Sequence, residues 1–505
     1  MHRLTLLAFA LLVAPLSAQT SATLSQAAAT ITADDVARRI GIIADDSMMG
    51  RDTPSRGLDL TAQYVADQFR MFGLKPGGDS GWFQRYPITR RRLDLAQSRV
   101  VFKAGGRADS ASFSAAARYD GGAVPEKTVS GMAVLVGGTQ TAESAERVSV
   151  RNKVVLYLPP ARPASELVQQ VIRILYLAGP KALVILSDAD SATFRAAIPK
   201  RGPERTVIGL PSGRPVSLQV QATAVGRALS AAGVDLVAAR AASEPIVREL
   251  PRLGVTVAMK DSIISSLTAP NTVGILEGSD PRLKHEYLVF SAHMDHIGIT
   301  PGQPDSINNG ADDDGSGTVG VMELAEAFSR AGARPKRSMI FLTVSGEEKG
   351  LWGSRHFTDN PPVPIDQIVA DVNIDMIGRN WPDTIVALGK EHSNLGATLN
   401  RVNAAHPELG MTAIDDRWPE ERFYFRSDHY NFARKGVPIL FFFNGVHEDY
   451  HEVTDSPDKI NSEKESRILQ LLFYLGQEVG NAATRPKWNP ESYNEIVEEK
   501  RVSRK

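Results

Sequence analysis

The sequence predicts an α/β fold: a mostly parallel mixed sheet flanked by helices, with a β-rich domain inserted into it. In the second half of the chain, four apolar segments with the length of buried strands alternate with helical stretches, which is typical of a sheet covered on both faces. These segments are 287–292, 339–344, 368–374 and 437–443. In the first half, shorter apolar runs are separated by Gly, Pro and polar turns, which favours a smaller β-rich unit. These runs are 132–136, 154–158 and 183–186.

The helices follow from apolar residues at helical spacing. In the stretch 32–76, Leu58, Ala62 and Val65 fall on one face, and Gly73 stands where a helix would end. A second helix is predicted over 166–177 in the β-rich region. The clearest helix follows Ser316, which we interpret as its N-cap. Its apolar positions repeat at i, i+3, i+4 and i+7 and are Val321, Leu324, Ala325 and Phe328.

Length and composition restrict the classes of protein and of partner. The chain has 505 residues, more than one hydrophobic core usually serves, so two folded units are expected. The 57 basic and 58 acidic residues nearly cancel, so charge gives no reason to expect nucleic acid or a membrane surface as a partner. The sequence has no cysteine, which excludes disulfides and thiolate chemistry and leaves His, Asp and Glu to hold any metal.

The first 18 residues have the pattern of a signal peptide. His2 and Arg3 precede a mainly apolar run over 4–16, which is too short to span a bilayer and ends in the small residues Ser17 and Ala18. The alternative is a buried N-terminal helix. We therefore expect a secreted or periplasmic protein that has no membrane segment in its mature form.

Unusual polar residues follow the predicted strands. His293 and Asp295 come at the end of the first strand of the second half, and an acidic run, 312–314, opens the helix that follows. Acids also end the second and third strands, and His451 comes shortly after the fourth. Because loops at the carboxyl ends of parallel strands converge, these side chains should meet. Three carboxylates and two neutral imidazoles would carry −3, which two divalent ions and one hydroxide would balance. The five residues are His293, Asp313, Glu348, Asp375 and His451. Nitrogen and oxygen donors suit zinc, although cobalt or manganese could be accepted.

Six motifs resemble the co-catalytic zinc peptidases, a family that includes bacterial leucyl aminopeptidases and glutamate carboxypeptidase II. The motifs are Ala-His-Met-Asp-His (292–296), Asn-Gly-Ala-Asp-Asp-Asp-Gly-Ser-Gly (309–317), Ser-Gly-Glu-Glu-Lys-Gly-Leu-Trp-Gly-Ser (345–354), Asn-Ile-Asp-Met-Ile-Gly (373–378), Arg-Ser-Asp-His (426–429) and Asp-Tyr-His (449–451). The stretch 47–73 also resembles the N-terminal region of that family. The segments 151–155 and 178–185 resemble a protease-associated domain.

The resemblance implies a site with two zinc ions. Asp313 would bridge them, Glu348 and His451 would complete one zinc, and His293 and Asp375 the other. The peptide bond from Asp313 to Asp314 would be cis.

The resemblance also implies catalytic roles. Glu347 would be the general base for a metal-activated water, and Tyr450 would help hold the oxyanion. Asp295 would accept the free N–H of His293, and Arg426 would contact substrate. Four further histidines are interpreted as structural or supporting. They are His296, His356, His429 and His447.

The domains implied are a signal peptide (1–18), a discontinuous zinc peptidase domain (30–118 and 255–485), a protease-associated insert (119–254) and a tail (486–505). The function implied is an exported aminopeptidase that removes N-terminal amino acids from peptides. One alternative is a carboxypeptidase or dipeptidase of the glutamate carboxypeptidase II type, and another is a glutaminyl-cyclase-like acyltransferase with one zinc. A catalytically inactive binding protein is the alternative outside the enzymes.

Overall fold

The computed structural model describes residues 16–122, 128–161, 165–208, 215–302 and 304–498. Most of the predicted signal peptide, residues 1–15, lies outside the described residues, and export stays a prediction. The chain forms two compact units. The discontinuous unit contains the residues up to Tyr86 and from Thr268, and the inserted unit runs from Pro87 to Leu267. None of the helices in the described part is both long and apolar enough to cross a membrane.

The described residues form the following strands and helices. The strands are β1 (Lys75–Pro76), β2 (Phe83–Leu93), β3 (Arg99–Ala104), β4 (Arg107–Ser112), β5 (Ala117–Gly122), β6 (Val129–Gly137), β7 (Val154–Tyr157), β8 (Ala182–Ser187), β9 (Glu204–Ile208), β10 (Val216–Gln221), β11 (Ile246–Ala258), β12 (Asp261–Leu276), β13 (Tyr287–His293), β14 (Ser338–Val344), β15 (Ile368–Ile374), β16 (Thr384–Leu388), β17 (Thr412–Ile414) and β18 (Ile439–Phe442). The helices are α1 (Leu16–Ala28), α2 (Ala33–Ile43), α3 (Arg56–Met71), α4 (Ala142–Glu146), α5 (Ser165–Leu177), α6 (Ser191–Ala196), α7 (Gly226–Ala231), α8 (Leu236–Ala241), α9 (Gly317–Ser329), α10 (Trp352–Asp359), α11 (Leu395–Ala405), α12 (His429–Ala433), α13 (Ser462–Asn481) and α14 (Pro490–Ile496).

The sheet of the discontinuous unit is mixed, as the sequence predicts. Its order is β17-β16-β18-β15-β13-β14-β12, with β1 paired to β12. The central strands β18, β15, β13 and β14 are parallel to their neighbours in that group. Alternate residues of β13 enter two different cores: Leu288 and Phe290 pack on the side of α9 and α13, and Val289 on the side of α10 and α12. Burial on both faces explains why these strands are apolar throughout.

Helix ends in this unit depend on short polar side chains and on one glycine. The hydroxyl of Thr32 caps α2, and that of Ser55 caps α3. Gly73 follows α3 with φ +76°, a conformation that favours glycine. Ser316 is the residue that precedes α9, as expected, but its side chain does not cap the helix. Its hydroxyl instead donates to the carbonyl of Asp312 at 2.8 Å, within the tight turn Ala311–Ser316.

The inserted unit has its own eight-stranded sheet, in the order β4-β3-β11-β6-β7-β8-β10-β5. Strands β6, β7, β8 and β10 are parallel to one another, and all other pairings in this sheet are antiparallel. The unit is wider than the insert 119–254 indicated by the sequence, because the hairpin β3–β4 pairs with the long strand β11. Its assignment as a protease-associated domain stays a prediction.

Candidate metal centre

The carboxyl edge of the central sheet brings together all five side chains that the sequence proposes as metal ligands. His293 is the last residue of β13, Glu348 follows β14 and Asp375 follows β15. Asp313 lies in the turn before α9, and His451 lies in the loop after β18. The peptide bond between Asp313 and Asp314 is cis, as the sequence resemblance implies.

Asp313 is shared by two sets of donor atoms. Its Oδ1 lies 3.3 Å from Nε2 of His293, and that nitrogen lies 3.6 Å from Oδ1 of Asp375. Its Oδ2 lies 3.2 Å from Nε2 of His451, which lies 3.2 Å from Oε2 of Glu348. Metal–ligand distances of about 2.0–2.2 Å place two donors of a tetrahedral zinc about 3.3–3.6 Å apart. Each set therefore has the spacing to hold one ion, and Asp313 would be shared by both sets.

The charge balance of the site also fits cations. Oδ2 of Asp313 and Oδ1 of Asp375 are buried and make no hydrogen bond among the described residues. Burial disfavours a charged imidazole, yet the carboxylates of Asp314 and Asp375 raise the pKa of His293 well above its usual value. Such a concentration of buried carboxylate is costly unless positive charge neutralises it. The donor set of nitrogen and oxygen atoms suits divalent zinc.

His296 also faces this centre, which the sequence interpretation did not assign to the ligands. Its Nδ1 lies 3.0 Å from Oε1 of Glu348 and 3.6 Å from Oδ2 of Asp313. The ring is fully buried and packs edge-on against His451 at 5.7 Å. The sequence signal was its position three residues after His293, in the same loop. Together with Asp313 and Glu348, His296 forms a second candidate donor group.

The support of His293 differs from the sequence expectation. Its Nδ1 lies 3.1 Å from the carbonyl oxygen of Asp295, whereas the carboxylate of Asp295 is 3.8 Å away. The carboxylate instead accepts hydrogen bonds from the hydroxyl of Thr53 and the backbone N–H of Glu347. The turn after β13 therefore brings the carbonyl oxygen of Asp295 closer to Nδ1 of His293 than its carboxylate. A proton on Nδ1 leaves the lone pair of Nε2 free to bind a metal.

The other predicted site residues line one cavity that opens on the donor atoms. Glu347 lies at the cavity, and burial raises the pKa of its carboxyl well above the usual value. Tyr450 stacks on His451 at 3.9 Å, and its ring faces the same cavity. Arg426 is at the rim, where its guanidinium lies 4.7 Å over the ring of Phe423. The apolar wall consists of Met376, Phe423, Phe441, Phe443 and Val446.

Comparison with known proteins agrees with this geometry. Residues 271–476 match the model of peptidase family M28, and this span contains all five predicted ligands and Glu347. The chain carries a peptidase family M28 domain. All six motifs of the sequence analysis, from 292–296 to 449–451, lie within this matched span.

Individual relatives of the M28 domain are distant. Leupeptin-inactivating enzyme 1 of Streptomyces exfoliatus is 29% identical over 222 residues, which are 44% of this chain and 45% of that protein. A probable zinc metalloprotease of Pyricularia oryzae is 25% identical over 344 residues, 59% of this chain and 63% of its own. The chain thus spans less than two thirds of the length of these curated relatives. The aminopeptidase from Aneurinibacillus sp. strain AM-1 is a similar solved structure, with 16% identity, a TM-score of 0.48 and coverage of 92% of this chain and 97% of its own.

Two buried residues that sequence reasoning missed hold the loop of the M28 domain that carries Asp313. The guanidinium of Arg51 donates to the carbonyl oxygens of Met294, Gly310 and, at 3.5 Å, Asp313. The carboxylate of Asp455 accepts the backbone N–H groups of Asp312 and Asp313, both at 3.1 Å. One cation thus binds the carbonyls of the loop, and one anion binds its N–H groups. Neither residue carries a sequence pattern that marks such a role.

Proposed function

We propose that this protein is an exported aminopeptidase that holds two zinc ions and removes N-terminal residues from peptides. One observation carries the proposal: the carboxylate of Asp313 offers one oxygen to each of two donor sets at zinc-like spacing. His293 and Asp375 complete one set, and Glu348 and His451 the other. When bound, the two zinc ions polarise the scissile carbonyl and acidify the attacking water.

The remaining steps belong to residues of the chain. Glu347 accepts a proton from the attacking water as its oxygen bonds to the carbonyl carbon, and donates that proton to the amine when the C–N bond breaks. Its position in the lining of the cavity, beside the donor atoms, supports this role. The hydroxyl of Tyr450 donates a hydrogen bond to the developing oxyanion.

The charges around the cavity favour a substrate with a free amino terminus. The carboxylate of Glu347, which is not assigned to a zinc ion, lines the cavity and would attract an ammonium group. A carboxypeptidase would need a free cation for the terminal carboxylate. Arg426 is the arginine that lines this cavity, but its side chain is 51% exposed and pairs with Glu421. The names of the relatives, which include a probable leucine aminopeptidase of Arthroderma otae, support the same choice.

The test combines metal analysis with a substrate panel. We expect two zinc ions per chain in the pure protein, and hydrolysis of free aminoacyl-nitroanilides but not of the same compounds with a blocked amino group. Cleavage of amino-blocked peptides from the carboxyl end would favour the carboxypeptidase alternative. One zinc ion without peptidase activity would favour the glutaminyl-cyclase-like alternative. Two zinc ions with neither activity would favour the binding protein.

A further inference from the structure

We propose that His296 is a further zinc ligand, completing the set formed by Asp313, Glu348 and His451. This inference rests on the metal centre of the proposed function, not on its peptidase activity. It gives one ion four protein donors and leaves the ion between His293 and Asp375 with three.

The distances around His296 match those around His451. Nδ1 of His296 lies 3.0 Å from Glu348 and 3.6 Å from Oδ2 of Asp313. Nε2 of His451 lies 3.2 Å from each of the same two carboxylates. Two imidazole nitrogens therefore face one pair of carboxylates at separations close to the edge of a zinc tetrahedron.

The backbone at Gly310 packs against the ring of His296. The ring is fully buried, and a Cβ added to Gly310 would lie only 2.6 Å from it, so the loop backbone packs directly on the ring. Its far nitrogen, Nε2, is buried and makes no hydrogen bond among the described residues. The buried histidine His447, in contrast, directs its Nε2 to Oδ2 of Asp312 at 3.2 Å. Nδ1 is therefore the nitrogen through which His296 acts.

The two donor sets contribute unequally to the cavity. Its lining includes all three donors of one set, His293, Asp313 and Asp375, but only Asp313 and His451 of the four-donor set. A zinc ion with four protein ligands is closed, whereas one with three keeps a position for water or substrate. An ion between His293 and Asp375 would therefore keep the more open position. An ion beside His296 would be the more enclosed of the two, although it would still border the cavity through Asp313 and His451.

X-ray absorption at the zinc edge tests this assignment on the full protein loaded with two zinc ions. We expect the wild-type spectrum to require three imidazoles shared by the two ions. His296→Ala should require two imidazoles, and should release one zinc to a chelator at least about 100-fold faster than the wild type. His447→Gln is the matched control, because His447 is a buried histidine of the same region that binds Asp312; its spectrum should be that of the wild type.

The outcomes distinguish a His296 that binds zinc from a His296 that only forms a hydrogen bond with Glu348. Loss of a supporting hydrogen bond also weakens metal binding, typically 10- to 100-fold, so the imidazole count is the decisive measurement. Two imidazoles in the wild type and no change in the variant would overturn the proposal and make His296 a positioning residue. If His296→Ala does not fold, the wild-type count and His296→Gln answer the same question. A protein that binds two zinc ions with three imidazoles but hydrolyses no peptide would refute the proposed function alone.

Discussion

The two units of this molecule share parallel apolar strands and differ in what they bury. The inserted unit buries one charged side chain among its described residues, Asp109, and that carboxylate is satisfied by Arg227 and by the backbone N–H of Ala228. The discontinuous unit buries many charged or ionisable side chains. They are Arg39, Arg51, His293, Asp295, His296, Asp312, Asp313, Asp314, Glu323, Arg337, Asp371, Asp375, Asp428, His429, Asp449, Asp455, Lys464 and Glu465.

This difference helps to distinguish a candidate metal site from an ordinary hydrophobic core. Buried charge is normally compensated by hydrogen bonds or an opposite charge, as at Asp109. At the metal centre, Asp313 and Asp375 keep oxygens without such compensation among the described residues. Asp428 and Glu465 also keep such oxygens, but Asp313 and Asp375 in addition lie beside a histidine nitrogen at zinc-like spacing. The two features together point to a cation site. The inserted unit, by the same criterion, gives no sign of a metal in its described residues.

The largest expected effect is on turnover. Glu347→Ala removes the group that carries the proton, so kcat should fall by about 10²- to 10⁴-fold, while the zinc content stays at the wild-type value. Initial rates on an aminoacyl-nitroanilide and metal analysis of the same sample check both parts. Glu143→Ala, an exposed acid of the inserted unit, is the control and should leave kcat unchanged. Wild-type turnover in Glu347→Ala would show that another group is the base.

Metal removal should affect the two units differently. A chelator should strip the zinc, restore repulsion among the carboxylates and increase hydrogen exchange in the loop 309–317, because ligands that bind only the folded state stabilise it. The strands β6, β7 and β8 should keep their protection. Hydrogen-exchange mass spectrometry with and without zinc makes the comparison in one sample. Equal loss of protection in both units would contradict a metal site confined to the discontinuous unit.

Arg51→Lys should destabilise the protein by about 3 kcal/mol, because one ammonium cannot replace the donors that reach separate buried carbonyls. Arg240→Lys in the inserted unit is the matched variant. Arg240 also donates to two carbonyls, those of Pro159 and Leu186, but it is less buried, so about 1 kcal/mol is expected. Urea unfolding of both variants measures the difference. Equal losses would mean that Arg51 contributes no more than an ordinary arginine.

The smallest effect concerns pH. Burial lowers the pKa of Lys464 to about 8, although Asp312 opposes this shift. Since the unfolded chain holds this proton up to about pH 10.5, stability should rise between pH 8 and pH 10.5, by at most about 3 kcal/mol. Lys464→Met should flatten the rise, as shown by urea unfolding at several pH values. Lys153→Met, at a more exposed lysine of the inserted unit, should not change it. An unchanged slope in Lys464→Met would refute this prediction.

The sequence predicts the central sheet well, because strands buried on both faces are apolar throughout. The predicted strands at 287–292, 339–344 and 368–374 agree with β13, β14 and β15 to within one residue. The meeting of the five proposed ligands follows from this topology, since parallel strands end at the same edge. The bounds of the inserted unit could not be predicted equally well, because a partner strand such as β11 is chosen by long-range pairing.

Within the site, the sequence reveals the residue types but not the orientations of their side chains. The carboxylate of Asp295 and its own carbonyl compete for the N–H of His293, and only the turn geometry decides for the carbonyl. His296 resembles any buried histidine until its nitrogen is placed beside Glu348. Arg51 and Asp455 act on backbone groups, which every residue possesses, so no pattern of side chains could indicate them.

The loop that carries Asp313 is held by Arg51, from the first segment of the discontinuous unit, and by Asp455, from near its end. A ribosome releases Arg51 long before Asp455. The nascent chain therefore cannot complete this loop arrangement before Asp455 has emerged, so the candidate metal site should form late relative to its first residue.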